Sequence, residues 1–274
     1  MCRMIVASGN FDAAKIVESA VLMAKDENSI HELNEKKGLG SCQHPDGWGA
    51  AYLNKAGEFV VQRSTQAIFK DSEASKLRKI GKIKTNLLVM HVRKKSGGRV
   101  LLENTHPFMV KHPRLGSCVF CHNGTIKGKI NFNPRFKPKG DTDSERLFYS
   151  ILSDFDENKG LETGCNRLKD NLGGVIRNTL QRYKTEGTNV ILATKEKTYV
   201  AIRKNELSKY FRMNIGRGNG GLIISSEKLK TFPHLLWMAA EPGEVIIFEN
   251  GSAEYVISKE TNSLLQKLSG MIKR

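Results

Sequence analysis

The stretch Cys118-Val119-Phe120-Cys121-His122-Asn123-Gly124-Thr125-Ile126 runs a segment of strand character into an Asn-Gly dipeptide. Ser117 to Cys121 has the apolar, β-favouring content of a strand, whereas Asn-Gly alone would mark a plain turn. Similar short runs lie on both sides of it. Gly49 to Leu53, Phe59 to Gln62 and Leu87 to Val92 precede it, and Asn189 to Ala193, Tyr199 to Arg203, Gly221 to Ser225, Glu244 to Phe248 and Tyr255 to Ile257 follow. Helical spacing occurs at Ala13, Ile16, Val17, Ala20, Val21 and Met23, over Ser144 to Leu152, and over Asn171 to Lys184. The helices cluster between two blocks of strands without the strict alternation of a doubly wound sheet. That order fits an α+β chain of two antiparallel sheets carrying helical layers.

The 274 residues are 39% hydrophobic and 26% charged, ordinary globular values that argue against disorder. No apolar run approaches the roughly 18 residues of a spanning helix. Ala13 to Ala24 is broken by Lys15 and Glu18 and so lacks the centre of a secretory signal, and the expected location is cytoplasmic. Five cysteines, Cys2, Cys42, Cys118, Cys121 and Cys165, form no disulfide framework. Cys118 and Cys121 make one CxxC with no second pair, so neither metal nor cofactor is expected. Lys plus Arg exceed Asp plus Glu by 44 to 28, a net +16 that invites comparison with nucleic-acid binders. No recognition motif or aromatic ladder accompanies it, and the surface reads as solvated basic residues.

No repeat or linker divides the chain, which reads as one domain over 2–258. A tail over 259–274 follows, with Leu264, Leu265, Leu268, Met271 and Ile272 on one helical face, for packing on the domain or on a partner. Gly216-Arg-Gly-Asn-Gly-Gly221 has the wrong spacing for a nucleotide loop and reads as a flexible connection.

Chemistry is suggested first at Cys2. Removal of Met1 would leave a thiol and a free α-amino group on one residue, and an amine of pKa about 7.7–8.0 is a competent base near neutrality. Four further segments accompany it: His91-Val92-Arg93 with Asn104-Thr105-His106-Pro107-Phe108, His122-Asn123-Gly124, Thr142-Asp143-Ser144-Glu145 at capping-box spacing, and Pro45-Asp46-Gly47-Trp48-Gly49.

In this order the segments resemble the class II glutamine amidotransferases, the branch of N-terminal-nucleophile hydrolases with a terminal cysteine. The likeness continues through Ile224-Ser225-Ser226-Glu227, Trp237 and Pro242-Gly243-Glu244, and is greatest to stand-alone, YafJ-type members. The resemblance implies a four-layer αββα sandwich. It implies Cys2 as nucleophile, with the Asn123 side chain and the Gly124 N–H as oxyanion hole. It further implies Arg93 on the substrate α-carboxylate and Asp143 on its α-ammonium. Ser96 stands where the family often has threonine and is a candidate substrate contact. His91, His106, His122, Asp46 and Trp48 are expected as scaffold.

The implied reaction is hydrolysis of L-glutamine, with ammonia passing to a separate synthase or acceptor subunit, since no synthase segment is evident. Two rivals remain at this stage: cleavage of γ-glutamyl peptides or conjugates at the same site, and a non-enzymatic basic subunit binding a partner or nucleic acid. Oligomeric state is not legible.

Overall fold

The computed structural model describes residues 2–29, 42–79, 85–157, 171–203 and 210–258. Seven strands form one sheet, in spatial order β11 (Leu236–Ala239), β9 (Asn214–Gly218), β10 (Gly221–Ser225), β1 (Arg3–Gly9), β4 (Leu87–Val92), β2 (Trp48–Leu53) and β3 (Phe59–Ser64). Six form the other: β13 (Val256–Ser258), β12 (Val245–Glu249), β8 (Lys197–Ile202), β7 (Lys184–Ala193), β6 (Gly116–Lys127) and β5 (Phe108–His112). Every neighbouring pair is antiparallel.

Strand alternation gives each sheet two apolar faces, and each face is covered. Met4, Val6, Leu87 and Val89 from the first sheet meet Val119, Cys121, Ile191 and Val200 from the second in a central layer. Ile5, Ala7, Leu88 and Met90 turn the other way, onto α1 (Ala13–Lys25) and α2 (Ser72–Lys79). Cys118, Phe120, Val190 and Leu192 face α3 (Asp143–Glu157) and α4 (Leu172–Gln181). The result is the αββα sandwich. It also separates the CxxC: Cys118 packs beneath the helices and Cys121 between the sheets, so the two thiols point to opposite faces of one strand. Burial pushes the Cys118 thiol up to about 12.

The helix ends follow local chemistry. Asp12 caps α1, its Oδ1 accepting from the Lys15 N–H at 3.2 Å, and Asp26 closes it in the left-handed conformation. At α3 the Glu145 N–H donates to Thr142 Oγ1 at 3.4 Å, while the Glu145 carboxylate reaches past Thr142 to the Lys139 and Gly140 N–H groups.

Two sequence expectations need correction. The helix expected over Asn171 to Lys184 stops at Gln181, because Lys184 already pairs with Lys127 across β6 and β7. The expected flexible connection at Gly216 to Gly221 is a hairpin: β9 and β10 pair through Gly218 and Gly221 around Asn219 and Gly220, both at positive φ, the geometry of a type I′ turn. There Gly216 makes room for Trp237, whose ring would lie 2.9 Å from an added Cβ. Asn123-Gly124 lies within a strand, since β6 continues to Lys127. Also unanticipated were β1, β5, β9, β11 and α2. The expected tail helix over 259–274 lies outside the described residues. Among the described residues no helix is long and apolar enough to cross a membrane.

Phe120 is fully buried and stacks on Phe148 at 4.8 Å between centroids. Phe120→Ala is expected to cost about 3–5 kcal/mol, measured by urea unfolding with an unchanged slope; a loss below about 1 kcal/mol would mean that this layer closes around the cavity.

Candidate active site

Cys2 lies one residue before β1, half-buried, at the junction of the two sheets. Its backbone nitrogen donates to Asn123 Oδ1 at 2.9 Å, and its thiol points at the Lys94 carbonyl at 3.7 Å. With Oδ1 engaged, the Asn123 amide presents its Nδ2 end as a donor. Burial pushes the Cys2 thiol up, against the opposing influence of the Arg93 and Arg3 cations. A neutral thiol at this position needs a base before it can attack carbon.

Asn123 and Gly124 sit at a bulge. Gly124 pairs with Thr188 and Thr125 with Glu186, so Gly187 of β7 is the extra residue. Gly187 has φ +67 and Gly124 φ +152, and a Cβ on Gly124 would fall 2.2 Å from the Gly187 carbonyl. Only glycine fits there, and the ladder is locally broken next to Asn123, the residue that accepts from the Cys2 nitrogen.

Arg93 follows β4 and is 4% exposed. Its own N–H donates to the Gly47 carbonyl at 2.8 Å, the Asp46 N–H returns to the Arg93 carbonyl at 3.1 Å, and the Lys95 N–H donates to Asp46 Oδ2 at 2.9 Å. Pro45-Asp46-Gly47-Trp48 thus braces the arginine, with Trp48 fixed by its indole bond to Asp71 Oδ2 at 2.9 Å. The guanidinium donates to the carbonyls of Arg99 at 3.2 Å and Gly97 at 3.5 Å. Among the described residues no carboxylate pairs with it.

Asp143 opens α3 and accepts from the Ile126 N–H at 2.6 Å. Among the described residues no cation pairs with Asp143. Ser96 is exposed, its Oγ 3.2 Å from Thr125 Oγ1, next to Gly124. The six residues singled out by sequence therefore converge from the start of β1, the end of β4, the β6 bulge and the start of α3.

Behind them lie three buried histidines. The His91 and His106 rings are 4.3 Å apart, and His122 Nδ1 meets Ser144 Oγ at 2.9 Å. Burial, then the Arg93 charge, lowers His91 to about 3. Burial, then His91, holds His106 well below the usual range, and burial lowers His122 against the pull of Asp143. Sequence reasoning passed over Arg3, which is 1% exposed and ion-paired to Glu227. Its one signal was an arginine inside an otherwise apolar run.

A thiol at the head of a central strand, an amide beside it on β6, a buried arginine and a half-buried aspartate, neither with an ion-pair partner among the described residues, make up the candidate site. The family of "Glutamine amidotransferases class-II" matches residues 29–215, and the chain belongs to that family. A protein of Methanocaldococcus jannaschii is 28% identical over 83% of this chain and 68% of its own length. The YafJ protein of Escherichia coli, described as a candidate glutamine amidotransferase, is 34% identical over 43% of this chain. So is a Haemophilus influenzae protein of the same description over 44%. The matched regions span 45% and 40% of those two relatives.

Among solved structures, a class II domain protein of Silicibacter pomeroyi superposes with TM-score 0.58 at 16% identity, covering 94% of this chain and 99% of that one. The Bacillus subtilis glutamine phosphoribosylpyrophosphate amidotransferase gives 0.61 at 18% identity, covering 95% of this chain and 50% of that one. The fold is that of the N-terminal-nucleophile hydrolases.

The histidines set an acid limit on stability. Unfolded, they titrate near 6.5, so below that pH protons bind the unfolded chain preferentially. Stability is full above about pH 6.5 and falls toward about 3, where His91 titrates in the fold. Each histidine contributes up to about 1.4 kcal/mol per pH unit. Tm measured from pH 7.5 down to 4.5 is expected to fall more steeply for the native chain than for His106→Gln; parallel curves would remove His106 from the account.

Proposed function

We propose that the chain hydrolyses the side-chain amide of L-glutamine through Cys2. Loss of Met1 turns the Cys2 nitrogen into an amine, oriented by Asn123 Oδ1. The amine takes the thiol proton, directly or through a water, and Sγ attacks the glutamine carboxamide carbon. Negative charge on the carbonyl oxygen is met by the Asn123 Nδ2 and the Gly124 N–H. The amine then returns its proton to the leaving nitrogen as the C–N bond breaks, and ammonia departs from a γ-glutamyl thioester. Water attacks the thioester and releases glutamate. Arg93 holds the α-carboxylate through two parallel donors and Asp143 the α-ammonium, with Ser96 at the rim. No cofactor enters any step.

The observation that carries this reading is the Arg93 guanidinium, 4% exposed and, among the described residues, bonded to two carbonyls and to no carboxylate. An ion so buried calls for an anion. Asp143 supplies the complementary charge for a free amino acid, because a peptide-bonded glutamine would carry neither head-group charge. The ammonia serves a separate acceptor or synthase subunit in trans, in the cytoplasm.

Intact mass before and after 6-diazo-5-oxo-norleucine tests the reading. The purified chain is expected to lack Met1 and to gain one adduct that Cys2→Ala abolishes, and Asn123→Ala is expected to lower kcat by about 10² to 10³. Retained Met1 without labelling would overturn the mechanism. A processed chain that ignores glutamine but cleaves γ-glutamyl peptides would keep the nucleophile and change the substrate.

A further inference from the structure

Cys2 stands outside the strand ladder. The first pairing of β1 is Arg3 with Val92, and on the other side Ile5 with Ser225. Residue 2 therefore has no strand partner, although a nucleophile must be held to a fraction of an ångström and chain ends fray by default. The Arg3 side chain turns back on the residue before it, Nη1 donating to the Cys2 carbonyl at 3.3 Å while Nε donates to Glu227 Oε1 at 2.7 Å. The guanidinium also lies 4.7 Å over the Tyr210 ring.

Glu227 is fixed in turn. Its Oε2 accepts from Asn28 Nδ2 at 2.9 Å and Ser29 Oγ at 2.5 Å, in the segment after α1. Its neighbour Ser226 extends the β1–β10 contact: the Ser226 N–H donates to the Met4 carbonyl and the Met4 N–H to Ser226 Oγ, both at 3.0 Å. Net stability does not account for such a pair, since two apolar side chains of similar volume would serve the core as well or better. What a guanidinium adds is a directed N–H on the carbonyl of a residue that lies outside the strand ladder.

We propose that Arg3 and Glu227 are positioning residues for the nucleophile, a buried ion pair that clamps the residue-2 carbonyl so that the Cys2 nitrogen and thiol keep their places against Asn123 and the Lys94 carbonyl. The inference rests on Cys2 as the reacting group. It touches neither Arg93 nor Asp143, so it predicts a loss in rate with substrate binding retained.

Three variants test it: Glu227→Gln, Arg3→Lys, and the apolar pair Arg3→Met with Glu227→Leu, which keeps the core filled. The readouts are kcat and KM for glutamine, the iodoacetamide alkylation rate of Cys2 followed on the N-terminal peptide, and Tm. The double variant is expected to keep Tm within a few degrees of the native chain. Its kcat is expected to fall by 10- to 100-fold, the order that a 1 Å misplacement costs, with KM within about twofold and an altered alkylation rate. Glu227→Gln, which keeps a hydrogen-bond acceptor, is expected to fall between it and the native chain, and Arg3→Lys, without the fork, close to the double variant. A double variant as stable as the native chain, with native kcat and alkylation, would overturn the clamp. A native chain inert to glutamine would instead overturn the proposed reaction, and the alkylation comparison alone would then decide the clamp.

Discussion

The hydrogen bond from the Cys2 nitrogen to Asn123 Oδ1 joins the two sheets, and the geometry of the site depends on it. One partner precedes the central strand of the seven-stranded sheet, and the other lies on β6 of the six-stranded sheet. Nothing local to either fixes their separation. It is fixed by the layer between the sheets, where Met4 and Val6 pack toward Val119, Cys121 and Ile191 at the roughly 10 Å spacing of facing sheets. A 2.9 Å contact across such a layer requires a close-packed core, because a void or an extra methylene would displace one sheet on the other by a sizeable fraction of that length.

The same sandwich isolates charge. Arg93, Asp143 and the Arg3–Glu227 pair are ionised groups at one end of it, among histidines that burial keeps neutral. Neutral imidazoles carry no charge to compete with Arg93 for an anion, and their proximity to Arg93 is part of what holds them neutral. Two kinds of buried charge are thereby separated. Arg3 is answered within the fold by Glu227, while among the described residues Arg93 is answered by no carboxylate. The first charge is used up within the fold, and the second is the one the proposed substrate carboxylate would answer.

Much of the candidate site was legible in the sequence because the residues proposed for it sit in short ordered segments: Cys2, Arg93, Asn123-Gly124 and Asp143 all lie where a strand or helix begins, ends or meets a bulge. The fold class came with the family resemblance, and the grouping of helices between strand blocks agreed with it. The individual strands were less legible. β1 is buried on both faces, so Met4-Ile5-Val6-Ala7 shows no alternation, and a short continuous apolar run carries no period by which to recognise it. β9 was hidden by its glycines, which suggest a loop until Trp237 is seen to need the space above Gly216. The Asn-Gly pairs illustrate the limit well. At Asn219-Gly220 the dipeptide is a hairpin turn, and at Asn123-Gly124 it runs on within a strand, opposite a bulge whose extra residue is Gly187 of the neighbouring strand.

Partnership across long sequence separation was beyond reach for the same reason. Arg3 and Glu227 are 224 positions apart, and neither residue type announces the other. Yet the spacing of β1 and β10 makes the meeting unavoidable once Ile5 pairs with Ser225, because two residues further out on each strand the side chains must come together at the sandwich end. Glu227 could be exchanged for any side chain that fills the volume if packing were its whole task. The three further contacts it makes or organises, from Asn28, from Ser29 and through Ser226 to Met4, tie the end of α1 and the end of β10 to the residue that precedes β1. A residue just beyond the end of a strand gets no help from the ladder and is held by side chains, and these are the ones the topology delivers there.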